Sequence, residues 1–248
     1  MNKLSDRIHI KAILLDYGGT IDTNGVHWSE VIYDGYKASG AEVPKNIFRN
    51  AYVHAEQYME QNPTMIKPED TFKETLIKKI KLQADFYSQE NIPYNISQHV
   101  DSIVDYCYKT AKGTVADAEK TLAILKKKYP LVLVSNFYGN LQSVIKDFGI
   151  HQYFTTIVES AIIGVRKPNP EIFRIALQDL SISASEAIIV GDSYKNDMVP
   201  AQQLGCIAVW LKGIGWERES EQNNNVTDVK YSIRNFNDLA ELIDIIEK

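Results

Sequence analysis

Two textures of apolar and polar positions share this chain. Near the amino end a continuous apolar run, Ala12, Ile13, Leu14 and Leu15, stops at Asp16-Tyr17-Gly18-Gly19-Thr20. A short unbroken run closed by glycines predicts a strand buried on both faces of a parallel sheet. Similar runs at 131–134, 156–159, 187–190 and 207–211 predict further strands. Between and after them, near-helical apolar spacing predicts helices over 116–128, 141–148, 170–180, 198–204 and 239–246. This alternation is the rhythm of a Rossmann-like, doubly wound α/β sheet covered by helices on both faces.

The second texture runs from the turn cluster Asp22-Thr23-Asn24-Gly25 to about Lys112. Its apolar residues recur only at helical intervals, as in Trp28, Val31, Ile32 and Tyr36, or Phe72, Leu76, Ile77 and Ile80. Breaks at Gly40, Pro44, Asn62-Pro63 and Asn91-Ile92-Pro93 divide it into several helices. The expected organisation is therefore a core of residues 1–22 and 113–248 interrupted by an all-helical unit at 23–112. Aromatics of that unit, Trp28, Tyr33 and Tyr52 among them, read as its packing rather than as a pocket lining. The stretch 215–227 reads as a surface loop, and the chain carries no internal repeat.

Composition narrows the function classes. The chain has 248 residues, enough for a substantial core, and no apolar run approaches the ~20 residues of a membrane span. A formal charge of -5 gives no footprint for nucleic acid, and Lys126-Lys127-Lys128 reads as a solvated helix end. Without an apolar signal core after its first residues, the chain is expected in the cytoplasm. Cys107 and Cys206 form no CxxC pair and are expected to be buried free thiols. Oligomeric state leaves no trace in the sequence.

In a parallel sheet the carboxyl ends of neighbouring strands lie side by side, so the residues that follow each strand meet. The first strand is followed by Asp16, the second by Ser135-Asn136, and the fourth by Gly191-Asp192-Ser193 with Asp197 close behind. Lys167 lies between the third strand and the next helix. Carboxylates, a lysine and a hydroxyl at one edge suit Mg²⁺ and a phosphoryl group, because Mg²⁺ prefers hard oxygen ligands and bridges to phosphate. Asp16 is then the expected nucleophile, forming an aspartyl-phosphate, with Lys167 and Ser135 offsetting charge on the equatorial oxygens. The expected metal ligands are Asp16, the Gly18 carbonyl, Asp192 and Asp197. The expected substrate contacts are Ser135, Asn136, Lys167, Gly19 and Thr20. Singly, each group has a plainer reading as a helix cap, a turn or a solvated helix start. Their order, each at a strand end, favours chemistry.

These motifs resemble those of the haloacid dehalogenase superfamily, in the subfamily with a helical cap between its first and second motifs. Asp16-Tyr17-Gly18-Gly19-Thr20 is similar to the first motif and Val134-Ser135-Asn136 to the second. Lys167-Pro168-Asn169-Pro170 is similar to the third, and Gly191-Asp192-Ser193 through Asn196-Asp197 to the fourth. The resemblance covers nearly the whole chain. It implies a cap that closes over the site and Mg²⁺-dependent hydrolysis of a small phosphorylated metabolite by Asp16.

One position departs from the pattern. Family phosphatases usually carry a second aspartate two residues after the nucleophile, which protonates the leaving oxygen, and this chain has Gly18 there. General acid–base catalysis is typically worth ~10²–10⁴ in rate, so the resemblance implies a slow or selective phosphatase. Asp22 is a replacement by proximity only, and a hinge or capping role suits it better. Family dehalogenases also lack the second aspartate, but they lack the acidic pair seen here at Asp192 and Asp197. A phosphonate-cleaving relative has a small residue at this position and uses a cap lysine as a Schiff base, for which Lys37, Lys45, Lys67, Lys73 and others are available. A pseudophosphatase that binds a ligand or protein partner without turnover is the remaining alternative.

Overall fold

The computed structural model describes residues 9–215 and 229–248. Among these residues six strands form one sheet: β1 (Ala12–Leu15), β2 (Leu131–Ser135), β3 (Thr156–Glu159), β4 (Ala187–Gly191), β5 (Ile207–Leu211) and β6 (Tyr231–Ile233). Their order is β3-β2-β1-β4-β5-β6, and every neighbouring pair is parallel. From β1 the chain builds outward through β2 and β3, then returns to place β4 on the other side of β1. Asp16 therefore follows the strand at which the strand order reverses, where open α/β sheets bind ligands. Leu15 pairs with both Leu133 and Val190, so the carboxyl ends of the three central strands are level.

Alternate residues of the central strands feed two cores, as the two-residue period of a strand requires. Ile13, Leu15, Leu133 and Val190 face one, and Leu14, Val132, Val134 and Ile189 face the other. Only helices and turns lie between β1 and β2 among the described residues: α1 (Trp28–Ala38), α2 (Lys45–Gln61), α3 (Phe72–Gln89) and α4 (Val100–Leu125). Helix α3 opens with a capping box, in which Thr71 and Glu74 satisfy each other's backbone N–H groups. Helices α5 (Leu141–Asp147), α6 (Ser160–Ile163), α7 (Glu171–Leu180), α8 (Val199–Leu204) and α9 (Leu239–Ile246) complete the covering layers.

Helix α4 corrects the expected start of a core helix at 116, since it already begins at Val100. One helix runs unbroken through Gly113, so the seam expected at 112/113 falls inside it. A single exposed glycine costs a helix only about 1 kcal/mol relative to alanine. Ala111, Val115, Ala118 and Leu122 keep the buried stripe in phase across it. Helix α4 thereby contacts α1 and α3 as well as α9. The sequence reading also missed β6 and α6, at three and four residues too short for a period to show. Residues 216–227 of the expected surface loop lie outside the described residues.

Cys107 and Cys206 are free and buried, as expected, and burial pushes both thiols up to about 12. Among the described residues no helix is long and apolar enough to cross a membrane.

Candidate active site

Asp16 emerges from β1 with its N–H donated to the Val190 carbonyl at 2.9 Å, which ties the start of the first motif to β4. Lys167 is 5% exposed, and its Nζ donates to Asp16 Oδ1 and Asp197 Oδ1, each at 2.6 Å. Asp197 returns to this point because the chain makes a π-helical turn over Tyr194–Met198, and the Ser193 N–H donates to its other oxygen at 3.1 Å. The Thr20 hydroxyl lies 3.1 Å from Asp192 Oδ1 and 3.4 Å from Asp16 Oδ2, and it accepts from the Asp192 N–H at 3.1 Å. With one proton to give, it donates to the nearer Asp192.

Oxygens of Asp16, Asp192 and Asp197 lie within 4.8 Å of one another. One lysine faces three carboxylates, and two of these, Asp192 and Asp197, titrate above the usual carboxylate range. Burial first, then the charges of Asp16 and Asp197, pushes Asp192 well above the usual carboxylate range. Burial likewise moves Asp197 up to about 6, with Lys167 offsetting only part of it. Burial pulls Lys167 down, but Asp16 and Asp197 outweigh it and hold the ammonium above the ordinary lysine range. Three hard oxygen donors carrying uncompensated charge fit a divalent cation such as Mg²⁺.

Glycine is required at two of the surrounding positions. A Cβ at Gly19, where φ is +91°, would meet the Asp192 carboxylate at 2.5–2.6 Å, and one at Gly191 would meet Asp197 Cγ at 2.3 Å. Gly18 is different. The nearest atom to a Cβ there is Trp28 Cδ1 at 3.9 Å, so a side chain would have room beside the indole edge.

The second motif divides its labour. Ser135 ends β2, is buried, and pairs in register with Glu159. The Asn136 carboxamide is engaged at both ends by the Lys167 backbone: Nδ2 donates to the carbonyl at 3.0 Å and Oδ1 accepts from the N–H at 2.9 Å. The geometry makes Asn136 a clamp on the lysine loop. Sequence reasoning missed the support behind it. The Glu159 carboxylate accepts from the N–H groups of Gly139 and Leu141, and Ser160 Oγ accepts from the Phe137 N–H at 3.2 Å. A glutamate closing an apolar strand was the available signal, although nothing local named its partners.

Asp22 is fully buried and braces the first motif from below. It accepts from the Gly19 N–H at 2.8 Å and from Trp28 Nε1 at 2.9 Å. Burial pushes it up to about 7 despite those two donors, and Asp16 adds to the rise. A carboxyl raised from 3.8 contributes stability that is complete below pH 3.8 and is lost as pH rises through about 7. Asp22→Asn cannot ionise, so its stability relative to the wild type is expected to improve from about pH 4 to about pH 7 and then level off. Urea titrations across that range check this; a pH-independent difference contradicts it.

An acid cluster at the switch point of a Rossmann-like sheet defines an α/β protein whose ligand edge suits a cation and an anionic group. The model of the haloacid dehalogenase-like hydrolases matches residues 10–205, and the chain belongs to that family. It is 35% identical over 100 residues to a glyceraldehyde 3-phosphate phosphatase of Methanocaldococcus jannaschii, and 35% identical over 95 residues to a phosphoglycolate phosphatase of Neisseria gonorrhoeae. These matches cover 40% and 38% of this chain and 40% of each relative. The solved structure of the Bacillus subtilis HAD hydrolase YfnB, bound to magnesium, matches with a TM-score of 0.58 at 16% identity. That match covers 95% of this chain and 99% of the other, and it speaks to the fold.

Proposed function

We propose that the protein is a cytoplasmic, Mg²⁺-dependent phosphatase that hydrolyses a small phosphorylated metabolite through an aspartyl-phosphate on Asp16. The observation that carries this reading is the convergence of Asp16, Asp192 and Asp197 within 4.8 Å around one buried lysine. Asp16, Asp192, Asp197 and the Gly18 carbonyl would hold Mg²⁺, which supplies positive charge to a bound phosphate. Lys167 fixes Asp16 Oδ1, leaving Oδ2 to attack phosphorus as the bond from phosphorus to the leaving oxygen breaks. Lys167 and the Ser135 hydroxyl donate to the equatorial oxygens, and water then releases phosphate and restores the Asp16 carboxylate. Gly19 and Thr20 shape the turn beneath the phosphate, with Thr20 also holding Asp192.

We assign the helices of 23–112 as the cap. Contacts from them to the core near the site support this, among them the ion pair of Glu60 with Arg166 at 3.1 Å. The phosphonate-cleaving alternative needs a neutral cap amine. Burial pulls Lys79, the buried lysine of α3, down, but Glu56 and then Tyr138 outweigh it and hold it above the ordinary lysine range. Held as an ammonium, Lys79 is a poor Schiff-base nucleophile, and the acidic pair disfavours the dehalogenase alternative.

The direct test is phosphate release across aryl, acyl, sugar and nucleotide esters, with Mg²⁺ and with chelator. Metal-dependent turnover supports the reading, and no turnover of any ester overturns it. Gly18→Asp is expected to fold, because its Cβ meets only ordinary contacts, and to speed alkyl phosphate hydrolysis by about 10²-fold or more while changing aryl phosphates less. A folded variant without that gain would place the proton source elsewhere.

A further inference from the structure

Four side chains that phosphoryl transfer leaves unused gather where the helical segment meets the core. Lys79 of α3 has an 8% exposed side chain and donates to Glu56 Oε1 of α2 at 2.6 Å and to the Tyr138 hydroxyl at 2.7 Å. Tyr138 donates to Glu56 Oε2 at 2.7 Å, and Tyr52 also hydrogen-bonds Glu56. The Lys79 ammonium lies 5.0 Å from the Tyr138 ring centroid and 5.8 Å from that of Tyr52. Tyr138 follows Asn136 by two residues on the loop that leaves the carboxyl end of β2, the end at which Asp16 and Asp192 lie, and the charge of Asp192 reaches Tyr52.

A joint between two layers has no need of such chemistry, since apolar side chains in place of a buried ion pair are often neutral or stabilising. Glu56 also keeps 32% of its side chain exposed although it grips a buried lysine, so the pair opens onto solvent. The remaining hydrogen-bonding capacity defines what fits there. Lys79 has three N–H donors, and two are used among the described residues. Glu56 offers about four acceptor sites against three donors. One donor and one acceptor are therefore left on the same ion pair, the complement of a hydroxyl group. A carboxylate end would meet Glu56 and an ammonium end would meet Lys79, each a contact between like charges, whereas a neutral hydroxyl satisfies both. The two tyrosine rings offer apolar faces to carbon.

We propose that Glu56, Lys79, Tyr52 and Tyr138 form the subsite for the non-phosphorylated end of the substrate, and that this end is a short neutral chain bearing hydroxyl groups. The assignment rests on the phosphatase reading above. It also addresses Gly18, because binding energy from a remote part of the substrate can be used at the reacting centre.

The test compares kcat/KM of the full chain with Mg²⁺ on p-nitrophenyl phosphate, glycerol 3-phosphate and phosphoglycolate. Glycerol 3-phosphate is expected to exceed phosphoglycolate by about tenfold or more, since a site that pairs a hydroxyl discriminates against a group that leaves its partners unmatched. Lys79→Met and Tyr138→Phe are each expected to lower the glycerol 3-phosphate value about tenfold more than the aryl value, which a purely structural role would not do. Tyr138→Phe removes a single hydroxyl and keeps the test available if Lys79→Met fails to fold. A preference for phosphoglycolate, or equal proportional losses on both esters, overturns the subsite while leaving the phosphatase reading in place. No turnover of any ester, the aryl one included, overturns both.

Discussion

Asp16→Asn is expected to reduce phosphate release by roughly 10⁴–10⁶-fold, the scale of loss when a covalent nucleophile is removed. The amide keeps the shape of the side chain but cannot form an acyl phosphate. The fold should survive. Lys167 retains Asp197 as a partner at 2.6 Å, and removing one of three crowded carboxylates relieves repulsion that raises both Asp192 and Asp197. The melting temperature of the variant in chelator should therefore equal or exceed that of the wild type. Steady-state phosphate release and a thermal melt check the two halves. Substantial turnover by the variant would remove Asp16 as nucleophile.

Lys167→Met carries the largest expected effect on stability. It leaves Asp16, Asp192 and Asp197 together without their only close cation among the described residues. Breaking a buried ion pair by removing one partner costs about 3–5 kcal/mol. For a chain of this length that corresponds to roughly 6–20 °C in melting temperature. The pH dependence has a definite sign. Without the lysine Asp192 and Asp197 rise further above their unfolded value, so the deficit is smallest in mild acid and grows as pH increases through their folded values. Mg²⁺ is expected to recover part of the lost stability by replacing the missing charge, while activity stays down by about 10²–10³-fold for want of the donor to phosphate. Melts with and without Mg²⁺ at two pH values decide it; a variant as stable as the wild type in chelator at neutral pH would contradict this electrostatic account.

The parts of this protein legible in its sequence are those in which local pattern and topology coincide. The run from Ala12 to Leu15 is apolar throughout because β1 is buried on both faces, and the level register of β1, β2 and β4 brings Asp16, Ser135 and Asp192 to one edge. Gly113 misled because a helical glycine looks like a boundary, whereas the phase of Ala111, Val115 and Ala118 crosses it undisturbed. The clamp formed by Asn136 was not legible for another reason: its partner is the backbone of a loop 31 residues away. The Glu56, Lys79 and Tyr138 cluster joins three separate elements, which no local period reports. One clue was present. Lys79 and Gln83 occupy the buried stripe of α3 beside Phe72, Leu76 and Ile80, and a lysine on an apolar stripe asks for a partner.

The most direct test of the central claim is to quench the wild-type protein in acid during turnover of a reactive phosphate ester with Mg²⁺ and to map the peptides by mass. The expected result is one phosphoryl group on the peptide containing Asp16, absent from Asp16→Asn and absent in chelator. Turnover with no phosphorylated peptide at any sampled time, or the phosphoryl group on a peptide without Asp16, would contradict it.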